Sequence, residues 1–316
     1  MVANLDRMMY VGEKPWHGEG TKLDNVATSA EAIVASGLNW NVEKRKIYVM
    51  NNEKAIEIPR KFATVRADNN EVLGVVGNVY TALQNKDAFS FFDAIVGVKE
   101  AMYHTAGSLG KGERVWILAK LPGYVEVAKD DIVDKYVLLA NSHDGTSAIE
   151  MMWTPIRVVC QNTLNFAMQG ADRSTKVSLR HTMSVGSRIE DVRKQLGIVN
   201  YQYQMFGDVA KKMVGKQITQ PQYTEYLEKI GLVVRDEKGK LSTRSQNNYD
   251  TLVGLYEHGK GNDAKAVAGT LWSAMNAVVE YVDYVRGGDK NRTKSILYGS
   301  GADVKQKAWD NAVALI

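Results

Sequence analysis

The run SHDGTSAIEMMWTPIRVVCQNTLNFAM, residues 142–168, gathers most of the chemistry-bearing side chains of this 316-residue chain. His143 beside Asp144 could bind a metal ion or act as a general base, with His104 and His181 available from neighbouring strand-like segments. No His-x-His, His-x-x-x-His or His-Glu-x-x-His spacing occurs, however, and the pair is followed by Gly145 between two apolar runs. An Asp-Gly pair in that setting is demanded by the backbone of a hairpin turn, so the structural reading of His143-Asp144 takes precedence. Cys160, the single cysteine, follows Val158-Val159 and reads as a small buried hydrophobe rather than a nucleophile. Glu126, Asp130, Asp131 and Asp134 could hold magnesium for a nuclease, but they read as an exposed acidic connection after Gly123. No catalytic residue, metal or cofactor is expected.

Arginine in strand-like contexts carries the stronger signal. Arg157 lies between Ile156 and Val158, so alternation turns it away from those apolar chains, and Arg180-His181 repeats the arrangement on a later segment. A lone buried guanidinium is costly, so such residues either pair with an acid or face solvent. With Arg173, Lys176, Arg188, Arg193 and Lys194 they would form a basic strip along a sheet face and its adjoining helix. Asn162 and Thr163, read as the start of a helix, would add neutral hydrogen-bonding groups and amide donors for one phosphate. Tyr103, His104, Tyr201, Tyr203 and Phe206 are candidate stacking surfaces for bases, although aromatic residues at helical spacing usually belong to a core. Neither a GxxxxGK[ST] phosphate loop nor a GxGxxG dinucleotide signature is present, which argues against ATP hydrolysis and dinucleotide chemistry.

The elements that must position these residues follow from periodicity. Residues 29–36 suit a helix capped by Ser29 and stopped by Gly37. From Trp40 to Val76, short β-rich runs separated by NNE and DNNE predict an antiparallel meander. A helix follows from Asn85 as cap, then two hairpins turning at Gly110-Lys111-Gly112 and at His143–Thr146. After a strand at 175–182 the apolar period becomes helical, with segments at 188–216, 222–230, 249–259 and 266–287 and a short final helix. The expected class is α+β: a mainly antiparallel β domain with packed helices at 1–185, then an α-helical region at 186–316 hinged near Gly186.

Composition narrows the function classes. A hydrophobic content of 45% and a charged content of 24% are those of a soluble globular protein. There is no membrane-spanning apolar run and no signal-peptide pattern, so a cytoplasmic location without membrane contact is expected. A single cysteine excludes an intramolecular disulfide. The net charge of +4 is distributed as −3 over residues 1–150, +6 over 151–220 and +1 over 221–316. A local basic excess of this kind attracts polyanions.

The segments AGSLGKGERVWILAKL, LLANSHDGTSAIEMMWTPIRVVCQNTLNFAM and SLRHT resemble those of the phage/plasmid-like proteins, a domain of unknown function found on bacteriophages, prophages and plasmids. The resemblance runs from GEKPWHGEG through the helical second half, and Ser142–Asn165 with Arg180-His181-Thr182 is its most specific part. At the level of architecture, a basic sheet with trailing helices is similar to single-strand annealing proteins of the Rad fifty-two type. That analogy implies a single-stranded DNA-binding protein that anneals strands without covalent catalysis, assembled as a ring or filament of identical subunits. Arg157, Asn162, Thr163, Arg173, Lys176, Arg180, His181, Arg188 and Lys194 are the expected contacts. A metal-dependent nuclease using His143, Asp144 and His181, and a protein-binding anti-defence or regulatory factor, are the alternative expectations.

Overall fold

The computed structural model describes residues 5–12, 20–25, 27–96, 102–157, 162–163, 176–182, 203–288, 295–296 and 299–316. The chain is α+β, with a large, mainly antiparallel sheet, a separate three-stranded sheet and helices. It divides into two compact units that alternate along the sequence: Met1–Pro122, Tyr136–Trp153 and Lys176–Ile198 form one, and Gly123–Lys135, Thr154–Thr175 and Val199–Ile316 the other. The boundary expected near Gly186 lies outside the described residues.

In the first unit, β1 (Leu5–Val11) pairs in parallel with the short β2 (Thr21–Leu23) and antiparallel with β6 (Met102–Leu109). β6 turns through Gly110–Gly112 into β7 (Arg114–Ala128), as the sequence predicts. β8 (Asp131–Ser142) turns through residues 143–148 into β9 (Ile149–Trp153), and β9 carries β12 (Lys176–Leu179) on its other side. Met9, Ala106, Ile117, Ala119 and Leu139 are fully buried in this unit. Helix α1 (Ser29–Ala35) is capped by Thr28 rather than Ser29: the Thr28 hydroxyl accepts from the Glu31 amide, while the Glu31 carboxylate accepts from the Thr28 amide. That reciprocal box satisfies two orphan donors at once, which a Ser29 cap would not. Helix α2 (Asn85–Val96) begins at Asn85, but this side chain is no cap. Its Nδ2 donates to the carbonyls of Leu38 and Trp40, and it is completely buried.

The meander expected at 40–76 is a separate sheet of β3 (Val42–Asn51), β4 (Lys54–Arg66) and β5 (Val72–Gly77). β5 pairs with β4 only over Lys61–Val65, so β3 and β4 continue beyond it as a two-stranded ribbon. The ribbon turns at Asn52-Glu53, both with positive φ (45° and 67°), as a two-residue turn matched to strand twist requires. Its root lies against the β8–β9 turn through Gly74, where an added Cβ would sit 2.5 Å from Asp144 Cα and 2.7 Å from its carbonyl oxygen. Because the obstacle is backbone, Gly74→Ala is expected to destabilise the protein by about 1–3 kcal/mol, read as a lowered urea midpoint.

In the second unit, the distal part of β7 and the first part of β8 precede β10 (Ile156–Arg157), which pairs on one side with β8 and on the other with β11 (Asn162–Thr163). The helices follow: α3 over the described residues 203–214, α4 (Gln220–Lys229), α5 (Thr243–His258), α6 (Leu271–Glu280) and α7 (Ser300–Val313). α6 is buried on all sides from Leu271 to Val279, as befits a central helix. It is shorter than the 266–287 segment read from periodicity, starting at a Thr270 cap and widening into a π turn over Tyr281–Val285. Conversely α5, read from periodicity as 249–259, begins earlier, at Thr243, capped by Ser242. Around α6, Phe206 stacks on Trp309 and meets the edge of Trp272, and the Tyr226 hydroxyl donates to the Ala308 carbonyl.

Candidate nucleic-acid interface

Among the described residues β12 is bonded to β9 alone, with Lys176 opposite Met152 and Ser178 opposite Glu150. Alternation continues past its end: Ser178 and Arg180 are exposed, whereas Leu179 and His181 are buried. Arg180 forms no ion pair among the described residues and stands in solvent, where a guanidinium can meet a phosphate. His181 therefore does not share Arg180's face and leaves the expected strip. Its ring stacks on Tyr80 with centroids 4.6 Å apart, its Nδ1 donates to the Thr81 carbonyl at 3.3 Å, and burial lowers its pKa.

Arg157 lies on β10 directly opposite Asn162, so part of the expected set is brought together in the second unit. The expectation of a helix start at Asn162-Thr163 is corrected: the two residues are a strand. They are in register with Arg157 and Ile156, and amide groups committed to a ladder do not form the open N-terminal array that a helix offers a phosphate. Lys176 belongs to β12 in the first unit. Arg173, Arg188, Arg193, Lys194, Tyr201 and Cys160 lie outside the described residues. Three of the described aromatic candidates, Tyr103, Tyr203 and Phe206, are buried core residues and not stacking surfaces, while His104 is half-buried. Tyr103 donates from its hydroxyl to Asp93 at 2.7 Å, and Tyr203 lies under the Lys135 ammonium.

His143-Asp144 caps its hairpin as the residue pattern predicts, yet the histidine is wholly buried. Asn85 already donates through Nδ2, so its Oδ1 accepts from His143 Nε2–H at 3.0 Å, leaving Nδ1 of the same ring without a hydrogen-bond partner. Burial, reinforced by the charges of His181 and Arg66, lowers the His143 pKa to about 3. Asp144 accepts from the Ser142 hydroxyl, and from the Thr146 amide and hydroxyl at 2.9 and 2.6 Å, bonds that hold its pKa low against the opposing effect of burial. This is turn-closing chemistry. Among the described residues no three His, Cys, Asp or Glu side chains converge on a metal position.

The acidic connection is also corrected. Glu126 lies on β7, Asp131 and Asp134 lie on β8, and Asp130 turns between the strands with φ 64°. Asp131 is buried, and its carboxylate accepts from Trp272 Nε1–H at 2.8 Å. Arg66, which the residue pattern does not single out, is a densely bonded cation of the first unit. Its guanidinium takes Asp68 bidentately at 3.1 and 2.9 Å, Asp6 at 2.6 Å and the Lys111 carbonyl at 2.8 Å, and it stacks 4.3 Å from the Trp40 ring. The β3–β4 ribbon was hidden as well, since a 150-residue charge window averages it with an acidic surrounding.

Fold and site together define an α+β protein with an exposed arginine just past a strand of a mainly antiparallel sheet and with His143 and His181 held in the interior. The chain belongs to the family described as Domain of unknown function (DUF932), whose model matches residues 72–312. No curated protein and no solved structure matches it. No helix among the described residues is long and apolar enough to cross a membrane.

Proposed function

We propose that this protein binds single-stranded DNA without cleaving it, as an annealing or recombination factor of a phage, prophage or plasmid, acting as a homo-oligomer in the host cytoplasm. The observation that carries the reading is Arg180: an exposed guanidinium directly after β12, in the part of the sequence where the charge balance turns to +6. Backbone neutralisation by such groups needs no catalytic residue, and base pairing between the bound strand and its complement supplies the specificity. The internal engagement of His143, Asp144 and His181 disfavours the nuclease alternative, because each is already occupied in packing or turn closure.

Gel-shift and strand-annealing assays with unstructured oligonucleotides, with and without magnesium and across a salt series, test this. The expected result is salt-sensitive binding without strand loss. Arg180→Glu is expected to weaken affinity several-fold at low salt and to reduce the salt slope by about 0.7, for the one phosphate no longer neutralised. No binding at low salt, or binding indifferent to Arg180→Glu, overturns the reading.

A further inference from the structure

The β3–β4 ribbon exposes more than an isolated hairpin can afford without a use. Beyond its pairing with β5 it has no third strand among the described residues, and two-stranded ribbons are marginal by themselves. Yet Tyr48, Val49, Met50 and Ile56 are 51%, 52%, 65% and 47% exposed. Residues 44–61 contain six lysines and arginines against two glutamates, Glu53 and Glu57, a local charge of +4 that equals the net charge of the entire chain. Three of those cations are engaged locally: Lys44 donates to the carbonyls of Asn78 and Tyr80, Arg45 pairs with Glu43, and Lys46 pairs with Glu57. Lys54, Arg60 and Lys61 form no ion pair among the described residues and are exposed. Where β3 advances by Ile47 alone, β4 inserts Ile58–Lys61, and Arg60 has φ 61°. A bulge of this kind bends a strand and re-aims its side chains.

We infer that this ribbon is a nucleic-acid-contacting arm, gripping single-stranded backbone through Lys54, Arg60 and Lys61 and offering Tyr48 as a stacking surface for an unpaired base. The inference rests on the proposed single-strand binding and adds the surface that performs it. Register divides the ribbon into two faces. Lys46, Tyr48, Met50 and Glu57 share one, and Ile47, Val49, Ile56 and Ile58 share the other. By the same alternation Lys54 and Lys61 fall on the second face and Tyr48 on the first, so the arm presents cations on one side and a phenol on the other, the two kinds of group that phosphates and unpaired bases need. Charge decides between occupants. A second copy would bring the same +4 ribbon and repel face to face, and a bilayer would have to accept the polar tip Asn51-Asn52-Glu53-Lys54. A polyanion with exposed bases answers both the charge and the ring.

Fluorescence anisotropy of the full chain with a labelled oligo-dT, and with a duplex of equal length, tests this. Lys54→Glu/Lys61→Glu is expected to weaken oligo-dT binding at least tenfold at low salt and to lower the salt slope by about 1.4, for the two phosphates no longer neutralised. Tyr48→Ala is expected to weaken it about fivefold to tenfold with the slope unchanged, since stacking releases no counterion, and to leave duplex binding as it was. Thermal midpoints equal to that of the parent protein confirm that the exposed substitutions leave the fold intact. Parent-like binding by both variants, while Arg180→Glu still weakens it, overturns the ribbon assignment and leaves the proposed function standing. Absence of binding by the parent protein overturns both. Unchanged DNA binding accompanied by loss of self-association, or of adhesion to anionic vesicles, reassigns the ribbon and also overturns the inference.

Discussion

Arg66→Ala is expected to lower stability by about 3–5 kcal/mol. The guanidinium side chain is 7% exposed and bridges Asp6 of β1, Asp68 beyond β4 and the carbonyl of Lys111 in the β6–β7 turn. Removing it leaves two carboxylates facing one another across a half-buried gap, and it strips the Trp40 ring of the cation above it. The cost is mainly that of the partners left behind rather than the net worth of the ion pairs. Arg66→Lys is expected to recover only part of the loss, because one ammonium cannot hold Asp68 with two parallel bonds while also reaching Asp6. Urea midpoints of the two variants check this, and a loss below about 1 kcal/mol for alanine would show that the network does not hold the sheet edge.

The second large effect is a loss of stability in mild acid. His143 stays neutral in the folded chain down to about pH 3, whereas in the unfolded chain it takes a proton near 6.5. Below pH 6.5 the unfolded state therefore binds more protons, so the contribution is fully present above 6.5 and is lost progressively as pH falls towards 3. Over that whole interval it amounts to roughly 5 kcal/mol, and about 2 kcal/mol is gone by pH 5. His181, whose pKa is also lowered by burial, acts in the same direction. The window from 6.5 to 5 isolates the histidines, since Asp144 and Asp68, lowered in the folded chain, cost stability only once the unfolded chain begins to protonate them near 3.8. Chemical denaturation at pH 7 and pH 5 reads the effect. His143→Gln keeps an amide donor for Asn85 without a titrating ring, and it is expected to flatten the dependence. Equal stability of the parent protein at the two values would mean that water reaches the imidazole.

The residues that read correctly from the sequence are those whose neighbours are close along the chain. Asp144-Gly145 specifies a hairpin tip because turn geometry is settled within four residues, and Gly110–Gly112 does the same for β6–β7. The β3–β5 meander and the α+β class follow from a period of two giving way to a helical period, again a local property. Capping was legible in kind but shifted by one position, because Thr28 and Ser29 are both competent and only the partner Glu31 selects between them. Alternation placed Arg180 on the solvent face, and the same rule, applied one residue further, puts His181 inside.

What the tertiary structure alone decided depends on partners far away in sequence. Asp131 is buried because Trp272, 141 positions later, donates to it. Asn85 forsakes capping because His143, 58 positions away, and the carbonyls of Leu38 and Trp40 surround it. Asn162-Thr163 is a strand because β10 offers a ladder, a competition that local propensity does not register. The ribbon is an exposed arm only because β5 ends at Gly77, leaving β3 and β4 to run on alone. Sequence by itself determined which elements form and where the chain turns, since those depend on backbone preferences and periodicity. Burial, ion-pair networks and the side of a charge that faces solvent were decided by long-range packing, which brings together groups whose separation along the chain carries no signal.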